Sequence, residues 1–286
     1  MNKQNKHMSR SQETVYRFCK NKIALLGVLI ALLLVVVIIF AEQISPYEAG
    51  VINNVKIRLQ GPTADHPFGT DAYGRDIFTR VIHGAKYTML ISLASCLAAQ
   101  IVGSILGALA AFYTKWDNIL MRILDIFQAI PGILLALAIV AALGSSLTNL
   151  IIAMAVSRIP GAARSARAVM LSLVGQDSIE AARSYGSRDS QLIFGHILPN
   201  AMGPIIVDFT INLSATTLQV SSLSYMGLGV QPPTPEWGVL LSEAREFMQT
   251  APHTILFPGI AIMLAALAFN LIGDGLRDAM DPKLRD

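Results

Sequence analysis

Apolar runs about as long as a membrane-crossing helix needs recur along the chain, with short polar stretches between them. They predict six transmembrane helices at roughly 23–41, 86–113, 119–143, 147–169, 202–226 and 253–273. Arg158, Pro160 and Arg164 interrupt the fourth, and Pro160–Gly161 is expected to kink it or to end its lipid-facing part. The fold class is therefore all-α, a polytopic membrane protein. A tail at 1–22 precedes the first span, a loop at 42–85 follows it, a membrane core occupies 86–275, and a second tail covers 276–286.

One polar island lies between the fourth and fifth runs: DSIEAARSYGSRDSQLIFGHILPN, Asp177 to Asn200. Asp177 is expected to cap a helix, with Glu180 closing a capping box. Gly186 suits the left-handed position after that helix. Ser187 or Asp189 is expected to cap a second helix carrying Leu192, Ile193, Phe194, Ile197 and Leu198, which Pro199 ends. The result is a helix–glycine turn–helix with apolar side chains left over. Two readings fit: a docking surface for another protein, or an amphipathic loop lying on lipid.

Composition excludes a soluble globule. The 286 residues are 53% hydrophobic and 14% charged, where a soluble domain carries about 25% charged residues. The net charge of +3 is small, so its placement matters more. The two tails, the connection between the second and third runs, and the island with its approach hold sixteen Lys and Arg; the other side holds six. The excess marks the cytoplasmic face, so both termini and the island are expected there. This is a topology signal and implies no nucleic acid. The first run follows a basic tail, as a signal peptide does, but it is longer than an h-region and no small-x-small cleavage site follows, so it reads as an uncleaved span. Gly103 and Gly107, continued by Ala110 and Ala111, form a small-residue helix face suited to close packing. Cys19 and Cys96 read as small apolar fillers.

Glu180, Ala181, Ala182, Gly186, Leu198 and Pro199, at this spacing, resemble the EAA loop of ATP-binding-cassette importer permeases. His196 stands where that pattern expects isoleucine. His66 to Thr88, Gly227 to Arg245 and Phe269 to Pro282 are similar to peptide and nickel permeases of the OppC/DppC type. The resemblance implies a subunit paired with a second permease subunit, two ATPase subunits and an extracytoplasmic substrate-binding protein. It implies transport of di- or oligopeptides across the cytoplasmic membrane, with nickel or another peptide-like solute as the alternative. The seven named island residues, His196 included, would contact the ATPase. No GxxxxGK[ST] motif occurs, so ATP and magnesium belong to the partners, and this chain has no catalytic group or cofactor of its own.

Other residues carry weaker signals. Asp208 lies in an apolar run, where a carboxylate costs about 2.5–3.5 kcal/mol, so it should face the bundle or the pathway. Asn212 and Gln219 share its helix face, as a pathway stripe or as interhelical hydrogen-bonding groups. Arg122 and Asp125 have the spacing of a local ion pair. His66, His83, His196 and His253 lack ligand spacing, so no metal site is expected. Pro232, Pro233 and Pro235 with Trp237 suggest a rigid turn anchored at the lipid interface. Asp71, Gly74, Arg75 and Asp76 stand before an amphipathic stretch, where they are placed to pin the end of a periplasmic helix. A lone secondary transporter would leave the island unexplained, and a membrane protease would need a catalytic pair that the sequence does not offer.

Overall fold

The computed structural model describes residues 10–281. Of the charges used above to orient the chain, Lys3, Lys6, Lys283 and Arg285 lie outside them, as does Pro282. The described residues fold into helices of very unequal length, with no strand among them and a single isolated bridge between Thr70 and Asp76. An amphipathic helix not foreseen in the N-terminal tail, α1 (Arg10–Lys20), comes first. Asn21 then caps α2 (Lys22–Ile39), its Oδ1 accepting from the Ile23 and Ala24 amides at 3.0 and 3.2 Å. Most of the leucines and valines of α2 stay exposed on the protein surface, as a lipid-facing helix requires. Two single turns, α3 (Ala41–Ile44) and α4 (Tyr47–Gly50), lead into an irregular loop.

The second long helix, α5 (Ile77–Phe112), begins nine residues before the expected position. Asp76 sets its start: Oδ2 accepts from the Thr79 amide and hydroxyl, both at 2.7 Å. Hydropathy missed this first section because Thr79, Arg80, His83 and Lys86 are polar, although most of it is buried in protein. The third predicted span is two helices, α6 (Thr114–Gln128) and α7 (Gly132–Leu143), bent by 82°. Pro131 causes the break: it has no amide to donate, and its ring drives Ile130 out of helical geometry.

The fourth helix, α8 (Leu147–Val174), does not stop at Pro160; it continues to Val174, 28 residues in all. Arg158 therefore sits in mid-helix and not on the approach to a cytoplasmic loop, which removes it from the charge tally above. The island forms α9 (Asp177–Ser184) and α10 (Asp189–Leu192). Pro199 is no terminator either. A π turn at Ile193–Ile197 joins α10 to α11 (Leu198–Tyr225), giving one rod of 37 residues. The Leu198 amide donates five residues back, to Ile193, and this widened turn accommodates the proline ring that a regular helix would reject. After α12 (Trp237–Ala244), the last helix, α13 (His253–Met280), continues seven residues past its expected end.

Four of these elements, α2, α5, the α10–α11 rod and α13, are long and apolar enough to cross a membrane. The bent α6–α7 pair makes a fifth if it counts as one span. The arginines of α8 keep it below that standard. The small face of α5 packs on α8. A Cβ at Gly107 would lie 2.6 Å from the Ala163 carbonyl and 2.7 Å from the Arg167 amide; one at Gly103 would lie 2.6 Å from the Ala162 Cβ. Gly107→Leu should therefore force the two helices apart, costing about 1–3 kcal/mol and lowering the melting temperature of the solubilised protein. Unchanged melting would mean that this contact yields freely.

Candidate functional site

The island is built around its turn. Gly186 has φ +84°, its amide donates to Arg183 O at 3.0 Å, and the Ser187 amide donates to Ala182 O at 3.1 Å. These paired bonds form a Schellman cap. The expected N-caps differ. Gln176 occupies the cap position of α9 without a side-chain bond, and Asp177 is already helical. Arg188, not Ser187 or Asp189, precedes α10, and its amide donates to Gln191 Oε1 at 2.9 Å. The carboxylates of Asp177 and Asp189 still face the positive ends of their helices.

Which apolar residues are left over also differs from expectation. Leu192 and Ile197 are buried with Met170, Ile179 and Ala201, and Ala182 and Leu198 pack against that cluster. Phe194 is 69% exposed and Tyr185, which the sequence reading passed over, is 91% exposed. The available signal was position: a residue immediately before a C′ glycine caps the helix end and projects from it. Glu180, Ala181, Gly186, His196 and Pro199 are exposed as well. The island thus leaves residues exposed on both sides of its turn, with one exposed aromatic on each. Arg183 lies 5.2 Å from the centre of the Phe112 ring and ties this surface to the end of α5.

A second site lies deeper, where α5, α8, α11 and the α6–α7 break meet. It is a cavity of about 260 Å³. Arg158 of α8 reaches across it, donating through Nη1 to Asn212 Oδ1 at 3.2 Å and through Nη2 to Gln219 Oε1 at 3.1 Å. Asn212 and Gln219 line the cavity; Asp208 does not, and its Oδ2 is buried without a hydrogen-bond partner. Asn212 and Gln219 bind the arginine directly, while Asp208, one turn from Asn212 and outside the lining, acts on Arg158 and Asn212 by electrostatic attraction. Arg122 and Asp125 do not pair. Asp125 bonds Arg164, and Asp117 bonds Arg167, so both acids of α6 dock it onto α8.

The sequence comparisons bear on this geometry. Residues 103–286 match the family described as binding-protein-dependent transport system inner membrane component, and residues 9–62 match the N-terminal TM domain of oligopeptide transport permease C. The chain belongs to this inner membrane component family. Among its members, a dipeptide transport system permease protein of Alkalihalophilus pseudofirmus is 45% identical over 96% of this chain and 90% of its own. A glutathione transport system permease protein of Escherichia coli is 46% identical over 94% and 89%. The inward-facing MetNI methionine transporter superposes with a TM-score of 0.60 over 71% of this chain and 97% of its own, at 19% identity, which speaks to fold alone.

In this inner membrane component, the end opposite the island is fastened by buried polar groups. Asp71 accepts from Arg75 Nε and Arg80 Nη1, both at 2.7 Å, and Glu243 pairs with both arginines at 3.0 and 2.7 Å. Asp76 also bonds His66 at 3.0 Å. The expectation that this segment pins a helix end holds. Trp237 is not an interface anchor: it is 1% exposed and donates through Nε1 to Val81 O at 2.8 Å. Glu236 beside it is fully buried, accepting from Thr88 Oγ1 at 2.9 Å and the Val239 amide at 3.1 Å. Burial raises its carboxyl above the ordinary range.

A raised folded-state value means that the folded form holds the proton longer than the unfolded chain does. The stabilising contribution is thus complete below the unfolded value of about 4.3 and is lost as pH climbs through the folded one. The permease component should melt higher at mildly acidic pH than at alkaline pH, and Glu236→Gln should flatten that slope. A slope identical in the variant would assign it to another group.

Proposed function

We propose that this chain is the permease subunit of an ATP-binding-cassette importer that moves di- and oligopeptides into the cell by alternating access. In this reading six segments cross the cytoplasmic membrane, both termini lie on the cytoplasmic side, and a second permease subunit completes the pathway. Extensive identity to a dipeptide permease supports the solute class. The observation that carries the mechanism is the open island: a capped helix–turn–helix flanked by Tyr185 and Phe194, continuous with a membrane helix. Aromatics exposed on a structured polar surface are what a protein partner covers. That partner is one of two ATPase subunits, which together bind ATP and magnesium, and Glu180, Ala181, Ala182, Gly186, His196, Leu198 and Pro199 form or support the contact. Closure of the ATPases moves the island, and the island moves the spans. An extracytoplasmic binding protein delivers solute to the opposite end. The glutathione permeases, at 43% and 46% identity, support a second reading in which a small acidic peptide is the solute.

The test is uptake of labelled dipeptide, glutathione and Ni²⁺ into cells or into right-side-out vesicles supplied with the binding protein outside, with and without ATP inside, in the presence and absence of this chain. ATP-dependent accumulation of a peptide that needs this chain is the expected result. Uptake driven by an ion gradient with no ATPase bound to the purified protein would remove the reading.

A further inference from the structure

The cavity around Arg158 is built for an anion. Among its described lining residues Arg158 is the only charged one. Its guanidinium rests on two neutral amides, and among the described residues no carboxylate forms an ion pair with it. Its Nε is buried without a partner. A guanidinium offers five donors in a fork that matches a carboxylate. Here two amides fix its orientation, Asp208 attracts it from outside the lining without forming an ion pair, and donors remain unspent.

The surrounding backbone points the same way. Helix α7 starts at Gly132 on the cavity wall, and Pro131 at its cap position supplies no side-chain bond. The first amides and positive dipole end of α7 therefore open onto the same space as Arg158. Broken backbone is tolerated at membrane depth where it lines a polar cavity. The volume of about 260 Å³ is smaller than a whole-ligand pocket of roughly 300–1,000 Å³, so it suits one end of a solute.

We propose that Arg158, oriented by Asn212 and Gln219 and aided by the first turn of α7, holds a carboxylate of the passing peptide, its C-terminus first of all. This assignment rests on the peptide reading above. It makes Arg158 a determinant of which solutes cross after the binding protein has released them. Asn212 and Gln219 become positioning residues, and Asp208 stands outside the site.

The test uses the whole assembly, with both permease subunits, both ATPases and the binding protein, reconstituted in liposomes. A dipeptide and its C-terminal amide are compared at concentrations that saturate the binding protein, with saturation read from that protein's own fluorescence. Wild type should move the acid about tenfold faster than the amide, the factor expected for one charge-assisted contact of about 1.4 kcal/mol. Arg158→Gln should move both at the slow rate while ATP hydrolysis stimulated by loaded binding protein persists, and Arg158→Lys should recover part of the preference. Equal rates for acid and amide in wild type, or an unchanged preference in Arg158→Gln, would overturn the site and leave the peptide reading standing. Loss of assembly, ATP hydrolysis and both rates together in Arg158→Gln and Arg158→Lys alike would make Arg158 a packing residue. If wild type moves neither compound, the peptide reading fails first and the site's ligand falls with it.

Discussion

Replacing Gly186 with valine leaves the protein in the membrane and lowers solute uptake about tenfold or more. The glycine sits at φ +84°, where an L-residue pays roughly 1–2 kcal/mol and a β-branched one more. Each 1.4 kcal/mol shifts the balance between intact and opened turn tenfold. What opens is the Schellman cap, and with it the angle between α9 and α10 that places Tyr185 and Phe194 relative to each other. Among the described residues, its two chain neighbours aside, no atom lies within 4 Å of a Cβ built at Gly186. The penalty within the chain is therefore backbone strain alone, and any steric clash has to come from a partner. Two substitutions separate the causes. Gly186→Asn accepts the left-handed conformation far better than valine and should retain most uptake if strain dominates. If Asn fails as badly as Val while ATPase copurification drops for both, the partner contact dominates. Normal uptake by Gly186→Val would show that this turn does not couple.

Asp71→Ala should be the most destabilising single change on the opposite end of the molecule. Asp71 accepts four bonds: Tyr73 N at 2.8 Å and Arg75 N at 3.0 Å on Oδ1, with the two arginine side chains on Oδ2. Arg80 is 2% exposed and Arg75 8%. Alanine leaves two buried cations to share Glu243. Breaking a buried pair from one side costs about 3–5 kcal/mol, because the remaining charge keeps its desolvation penalty without its partner. For a chain of this size that corresponds to a fall of roughly 10 °C in apparent melting temperature. Asp71→Asn keeps an acceptor for the Tyr73 and Arg75 amides and should lose less. Raising the ionic strength should matter little, since mobile ions do not reach a buried network. A fall of only a degree or two in Asp71→Ala would mean that water enters and solvates the arginines.

The membrane class, the first span and the turn at Gly186 were legible because each rests on a local rule. An apolar run, an asparagine before it and a glycine after a short helix carry their meaning within a few residues. The break at Pro131 was less legible, since α6 and α7 together satisfy a hydropathy window whether straight or bent by 82°. Pro160 and Pro199 misled in the other direction. The sequence shows the lost amide but not the π turn or the cavity wall that absorbs it. Side-chain partners were the least legible. Asp125 had a tempting neighbour in Arg122, four residues of chain away at most, yet tertiary packing brought Arg164 to it. Arg158 was counted as a loop charge because nothing in a linear pattern reveals that two amides from another helix wait for it.

The rod from Asp189 to Tyr225 has a mechanical consequence. Packing holds it to α13 along a section of its length: a Cβ on Gly203 would collide with Met280 Cε, one on Gly273 would lie 2.7 Å from Ile211 Cγ1, and Ser214 Oγ donates to the Ala266 carbonyl at 2.8 Å. A rigid rod tilts about its held section, so the stretches on either side of it move in opposite directions. At 1.5 Å per residue, Phe194 lies about 14 Å beyond one limit of that section and Gln219 about 8 Å beyond the other. Pulling the aromatic end inward should therefore swing Gln219 the opposite way, while Asn212, inside the held section, moves least. Spin labels at positions 194 and 219, each measured against α13, would read those opposed motions directly.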